Sequence, residues 1–152
     1  MKDTPARVIA VSTSPVKGRR KTNVPEVRLV QGRGIEGDAH AADGSRQLSL
    51  LAVESIERIR GVGLDVNPGD FGENITTSGI ETWLLRVGNR LEIGDAYVEI
   101  TQIGKECHAP CAIYQHVGDC VMPREGVFAR VLRGGVVRPG DSVRVVGPDP
   151  VG

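Results

Sequence analysis

Within seven residues, Lys105-Glu106-Cys107-His108-Ala109-Pro110-Cys111, the chain gathers two of its three cysteines and one of its three histidines beside a lysine. A helix is predicted over residues 112–117. It would set the Cys111 thiol, just after Pro110, against free backbone N–H groups and the positive end of a helix dipole. Both lower a thiol's pKa and favour the thiolate, a sulfur nucleophile or soft-metal ligand. Two free cysteines packed as small core residues are the plainer account of the same pair. Cys107, Cys111 and Cys120 with His108 or His116 supply enough ligands for zinc, but without a paired C-x2-C knuckle. A missing fourth cysteine speaks against an iron–sulfur cluster. A Cys–His hydrolase would take His108 or His116 as base, and no nucleophile-elbow sequence accompanies them.

Three further stretches carry polar groups with chemical uses. Lys17-Gly18-Arg19-Arg20-Lys21 puts four cations in five residues, which makes either a solvated loop or an anion-binding one. Gly34-Ile35-Glu36-Gly37-Asp38-Ala39-His40 frees the backbone to present N–H groups, and His40 can donate to an anion or accept a proton. Arg46 enters a strand directly afterwards, where it serves as a bidentate phosphate ligand or a surface ion pair. Phe71-Gly72-Glu73-Asn74 offers a carboxylate and an amide, suited to the edge of a heterocycle or to satisfying loop backbone.

The elements that must position these residues are short. Arg7 to Ser12, Glu26 to Val30 and Gln47 to Leu51 read as strands, and Glu54 to Arg60 as a helix with Ile56 and Ile59 on one face, stopped by Gly61. Gln31 to Ser45 and Asn67 to Asn74 read as loops. Arg90 to Ile93 and Tyr97 to Ile103 flank Gly94-Asp95 as a hairpin. The segment Val87-Gly88-Asn89-Arg90-Leu91-Glu92-Ile93 is echoed by Arg138-Pro139-Gly140-Asp141-Ser142-Val143-Arg144-Val145, each a turn opening a strand, as in a closed or nearly closed β-structure. Gly126 to Leu132 is expected to form a short helix.

With 152 residues, 39% of them hydrophobic, the chain is expected to make one domain with a core about 8–146 and a flexible tail at 147–152. Twenty glycines and nine prolines favour tight turns and short strands. Lys plus Arg and Asp plus Glu are each 19, so net charge gives no reason to expect nucleic acid or an anionic membrane. No apolar run approaches a membrane span. Three cysteines cannot all pair, and no signal-peptide pattern is present, so a cytoplasmic location is expected.

Taken in order, Ser14-Pro15-Val16-Lys17-Gly18, Gly34 to His40, Arg46-Gln47-Leu48-Ser49-Leu50, Phe71 to Asn74, Val87 to Gly94, Ala109-Pro110-Cys111 and Ala129 to Gly135 before Pro139-Gly140-Asp141 resemble the MOSC family, the domain at the C-terminus of molybdenum cofactor sulfurases. The likeness runs from about Val8 to Val145 and is that of a stand-alone bacterial-type member.

This resemblance implies a mainly β fold, a MOSC-type β-barrel with a few short peripheral helices and a cofactor cleft at its rim. It further implies molybdopterin binding, or sulfur carried as a cysteine persulfide for delivery to metal–sulfur centres. The family's Pro-Cys cysteine maps onto Cys111, the expected catalytic sulfur and metal ligand. A phosphate-bearing pterin would draw on Lys17, Lys21, His40, Arg46 and Arg130 for charge and on Glu73 and Asn74 for hydrogen bonds. The chain lacks room for the pyridoxal-phosphate desulfurase of the large sulfurases, so a separate cysteine desulfurase or a molybdoenzyme is the expected partner. The alternatives are a small molybdenum-dependent reductase of N-hydroxylated substrates and a zinc-stabilised adaptor using Cys107, Cys111 and Cys120.

Overall fold

Two sheets and one helix account for the regular structure in the computed structural model, which describes residues 6–14, 21–38, 41, 44, 47–61, 63, 66–80, 85–103 and 126–146. Its elements are β1 (Arg7–Thr13), β2 (Thr22–Val24), β3 (Val27–Val30), β4 (Gly34–Ile35), β5 (Leu48–Ala52), α1 (Val53–Arg60) and β6 (Ile75–Ser78). They continue as β7 (Arg90–Ile93), β8 (Ala96–Ile103), β9 (Val127–Arg133), β10 (Gly135–Val137) and β11 (Val143–Val146). The larger sheet has the order β11-β7-β8-β9-β5-β6-β1-β2, and the smaller β10-β3-β4. All pairs are antiparallel except β5 with β6, which are joined through α1 and the loop that follows.

The chain is therefore mainly β, but the barrel expected from the family resemblance is not a continuous ladder among the described residues. The larger sheet ends at β11 and β2. Its curvature still brings the start of β1 against the turn before β11. There a single bridge pairs Arg7 with Ser142, and Val8 N donates to Asp141 O (2.8 Å), Gly140 N to Val8 O (2.7 Å) and Val143 N to Ala6 O (3.0 Å). The flanks meet through that bridge and these few hydrogen bonds rather than through a strand pair.

Period-two alternation explains most strands. Leu91 and Ile93 on β7, Ala96, Val98 and Ile100 on β8 and Val143 on β11 point into one aliphatic core, shared with Val27, Leu29, Ile35 and Val137 of the smaller sheet. Gly94, at φ +55°, makes the turn between β7 and β8 that a side chain would resist. The two echoing segments become partners, with β11 pairing β7 from Val143 opposite Ile93 to Val146 opposite Arg90.

The segment Gly126 to Leu132 corrects its expectation, forming β9 rather than a helix. Val127, Ala129 and Val131 face the main core, while Phe128 turns to the opposite face and Arg130 is exposed. Alternation with β-branched residues at two inward positions outweighs the apparent helical spacing. Only one helix, α1, lies among the described residues. It buries Ile56 and Ile59 in a second cluster with Leu51, Val66, Phe71 and Phe128 on the outside of the sheet. β5 lies between the two clusters and is buried along its whole length. No described helix is long and apolar enough to cross a membrane.

Candidate functional site

Polar side chains are concentrated where β1 ends and β5 and β6 begin. Val127, Leu50, Ile75 and Val11 form one register row across β9, β5, β6 and β1. One residue from that row stand Ser49, Asn74 and Ser12, all buried. Asn74 braces the three strands. Its Oδ1 accepts from Ser49 N (3.0 Å) and Ser49 Oγ (3.3 Å), and its Nδ2 donates to Ser12 O (3.1 Å). Its backbone repeats the bridge, with Asn74 N donating to Ser49 O and Ser12 N to Asn74 O. The amide marked in the sequence is thus engaged with protein groups through both its oxygen and its nitrogen.

Residues 67–73 fold over this junction, anchored from both ends. Arg60 Nε donates to Val66 O (2.8 Å), and Phe71 enters the outer cluster. Gly69 sits at φ +95°, and a Cβ there would lie 2.5 Å from Lys21 O, so the loop reaches β2 only with glycine at this position. Lys21 N donates to Gly69 O (2.8 Å) across that approach.

Glu73 lies beneath the loop with no solvent exposure. Its Oε2 accepts from Gly69 N (2.8 Å) and Thr76 Oγ1 (3.0 Å), whereas Oε1 has no hydrogen-bond partner among the described residues. Burial pushes its carboxyl pKa above the ordinary glutamate value; the hydrogen bonds from Gly69, Thr76 and nearby backbone only partly oppose this. Thr77 Oγ1 is the other buried side-chain oxygen without a partner among the described residues.

Lys21 and Asp38 form the charged part of the same region. Their Nζ–Oδ1 distance is 2.9 Å, and both side chains are almost completely buried, at 1% and 0% exposure. Ser14 N donates to the same Asp38 oxygen (3.0 Å). The sequence marked Lys21 as a cation but Asp38 only as part of a turn. No local pattern announces a partner 17 residues away.

Arg130 is placed elsewhere, on the exposed face of β9, where it pairs with Glu99 at 2.5 Å. Lys17, His40, Arg46 and the three cysteines lie outside the described residues. Their chain positions are still informative: residues 15–20 join Ser14 to Lys21, His40 follows Asp38 by two, and Arg46 precedes Gln47. Cys111 belongs to residues 104–125, which connect Ile103 of β8 to Val127 of β9, a pair in register at one end of the row that reaches Val11. Among the described residues no group of three or more His, Cys, Asp or Glu side chains is placed to hold a metal.

The model of the MOSC domain matches residues 36–144, from the segment containing Asp38 to the start of β11. The chain belongs to the MOSC domain family. This family is linked to sulfuration of the molybdenum cofactor. The MOSC chain also shares its fold with solved bacterial proteins. It is similar to the YuaD protein from Bacillus subtilis, with a TM-score of 0.77 at 20% identity over 95% of this chain and 97% of that one. YiiM from Geobacillus stearothermophilus aligns with a TM-score of 0.67 and 21% identity, covering 93% of this chain and 75% of that one. YiiM from Escherichia coli gives 0.68 and 22%, covering 96% and 71%. Curated proteins yield no match.

Proposed function

We propose that this MOSC domain binds the molybdenum cofactor and that Cys111 ligates its metal or carries sulfur for it as a persulfide. The observation supporting this reading is the buried polar junction around Glu73, whose Oε1 lacks a hydrogen-bond partner among the described residues. A buried carboxyl oxygen without a partner is costly unless a ligand or water supplies one. The segments bearing Lys17, His40 and Arg46 continue in sequence from the same junction.

The described residues fit such a group in one respect: Glu73 Oε1 would take one hydrogen bond from a polar group of the pterin, Oε2 being held by Gly69 and Thr76. Lys17, His40 and Arg46 would hold the phosphate. Lys21 and Asn74 would act by holding the surrounding strands and loops, because their side chains already bond Asp38, Ser49 and Ser12. Arg130 becomes available to an anion only by leaving Glu99. The cofactor, when bound, supplies a redox-active metal with exchangeable sulfur. For sulfur transfer, the Cys111 thiolate attacks the outer sulfur of a donor persulfide, forming a new S–S bond as the donor leaves as thiolate. A separate cysteine desulfurase would supply that donor, and a molybdoenzyme would receive the sulfur.

The test is to purify the protein from a cofactor-producing host and measure bound molybdenum and pterin. Ligand-free protein is then treated with a persulfide donor and weighed by mass spectrometry, with Cys111→Ala carried in parallel. Cofactor or added sulfur that depends on Cys111 supports the proposal. Absence of both, or equal loading of the variant, rejects it.

A further inference from the structure

We infer that Glu73 meets a ligand N–H as an ionised carboxylate after giving up a proton, so that binding at this junction releases a proton to solvent for each ligand bound. The inference deepens the proposed function and rests on it. Its basis is the unequal treatment of the two carboxyl oxygens. Gly69 N (2.8 Å) and Thr76 Oγ1 (3.0 Å) both donate to Oε2, while Oε1 has no hydrogen-bond partner among the described residues. Glu73 has no solvent exposure, so bulk water does not supply the missing bond.

A buried carboxylate with one bare oxygen is disfavoured against the neutral acid. Donors already occupy Oε2, so the proton of that acid sits on Oε1. Burial accordingly holds the group above the ordinary value of 4.5, and among the described residues no charged side chain contributes to the shift. β5 and β6 carry no titratable group. Asp70 on the covering loop accepts from Asn67 N, the Lys21 ammonium is held by Asp38, and Arg60 donates to Val66 O and Asn67 Oδ1. A ligand N–H aimed at the protonated Oε1 would set donor against donor. Once that O–H bond breaks and its proton passes to the buffer, the carboxylate accepts from Gly69, Thr76 and the ligand together. The backbone N–H groups of Phe71 and Glu73 also favour the anion, and a few such donors are enough to hold a buried carboxyl ionised. The ligand class is a heterocycle presenting an exocyclic amine or a ring N–H, as a pterin does.

The probes are the free pterin base, which has no phosphate to titrate, and molybdopterin. Each is titrated calorimetrically into the full chain in buffers of small and of large protonation enthalpy, which counts the protons exchanged. At a pH where Glu73 is neutral, wild type should release about one proton per pterin, with affinity rising about tenfold per pH unit until Glu73 ionises ahead of binding. For molybdopterin, whose phosphate also titrates, the count is the difference between wild type and Glu73→Gln. In that variant Gly69 N keeps the amide oxygen in the place of Oε2, so the amide nitrogen faces the ligand as the protonated acid would. Glu73→Gln should therefore bind about tenfold more weakly at neutral pH and lose the pH dependence. Binding by wild type without proton release, or equal binding by Glu73→Gln, means that the ligand accepts from Oε1 and overturns the inference while leaving the cofactor reading intact. Should the variant fail to fold, the wild-type proton count with pterin decides alone. A wild type that binds neither probe overturns both.

Discussion

The flank built from β7, β8, β9 and β11 and the flank built from β1, β5 and β6 are parts of one sheet held together by different physics. In the first, aliphatic side chains fill the inward positions and charges the outward ones. Arg144 pairs Glu92, Glu99 lies between Arg90 and Arg130, and Arg133 sits 5.5 Å above the Tyr97 ring. Many small contacts share the stabilisation, and the arginines of the ion pairs stay exposed to water. In the second, a few buried polar residues do the joining: Asn74 to Ser12 and Ser49 and Lys21 to Asp38 link segments distant in the chain, while Glu73 ties its own loop together through Gly69 and Thr76. The first flank is a tolerant scaffold. The second depends on individual residues, and the candidate ligand-bearing segments extend from it.

On this contrast, Asn74→Ala should give the largest loss. It strands Ser49 N and Ser12 O in the interior, at about 3 kcal/mol for the pair of orphaned groups. Urea unfolding would register this as a lower midpoint with an unchanged slope.

Glu73→Gln is expected to have a smaller effect that depends on pH. Because the folded protein holds the Glu73 proton more tightly than the unfolded chain does, the contribution of the neutral acid is complete below the ordinary value of 4.5. It is lost as pH rises through the raised folded value. The amide cannot ionise, so melting temperatures measured from acid to mildly alkaline pH should fall less steeply for the variant. Parallel curves for the two proteins would remove Glu73 as the cause.

Arg144→Ser should do least. It removes an exposed pair with Glu92 and is expected to cost under about 1 kcal/mol, less still at high salt. A loss matching that of Asn74→Ala would erase the distinction between the flanks.

The same contrast explains what could be read from the chain. Alternation marked β7 and β8, Gly94-Asp95 marked their turn, and Ile56 with Ile59 marked the buried face of α1, since each signal is local. β9 was obscured because Val127, Phe128 and Val131 fit a helical face as readily as two faces of a strand when the neighbours are unknown. β2, β4 and β10 are only two or three residues long and are specified by their partners. In the candidate site, Lys21, Glu73 and Asn74 were conspicuous by residue type, but their hydrogen-bond partners were not. Asp38 looked like an ordinary turn residue because its pairing with Lys21 arises only when β1, β2 and the segment after β4 converge. Cys111 stood out through Pro110 and its neighbouring thiols, and it falls outside the described residues.

The central claim concerns the sulfur of Cys111 and the metal of the cofactor. Molybdenum K-edge X-ray absorption on cofactor-loaded protein, wild type against Cys111→Ala, tests it most directly. The proposal predicts a protein thiolate scatterer that disappears in the variant when Cys111 ligates the metal, or a persulfide-dependent change in molybdenum–sulfur scattering when it delivers sulfur. Identical spectra from the two proteins, before and after exposure to a persulfide donor, would contradict it.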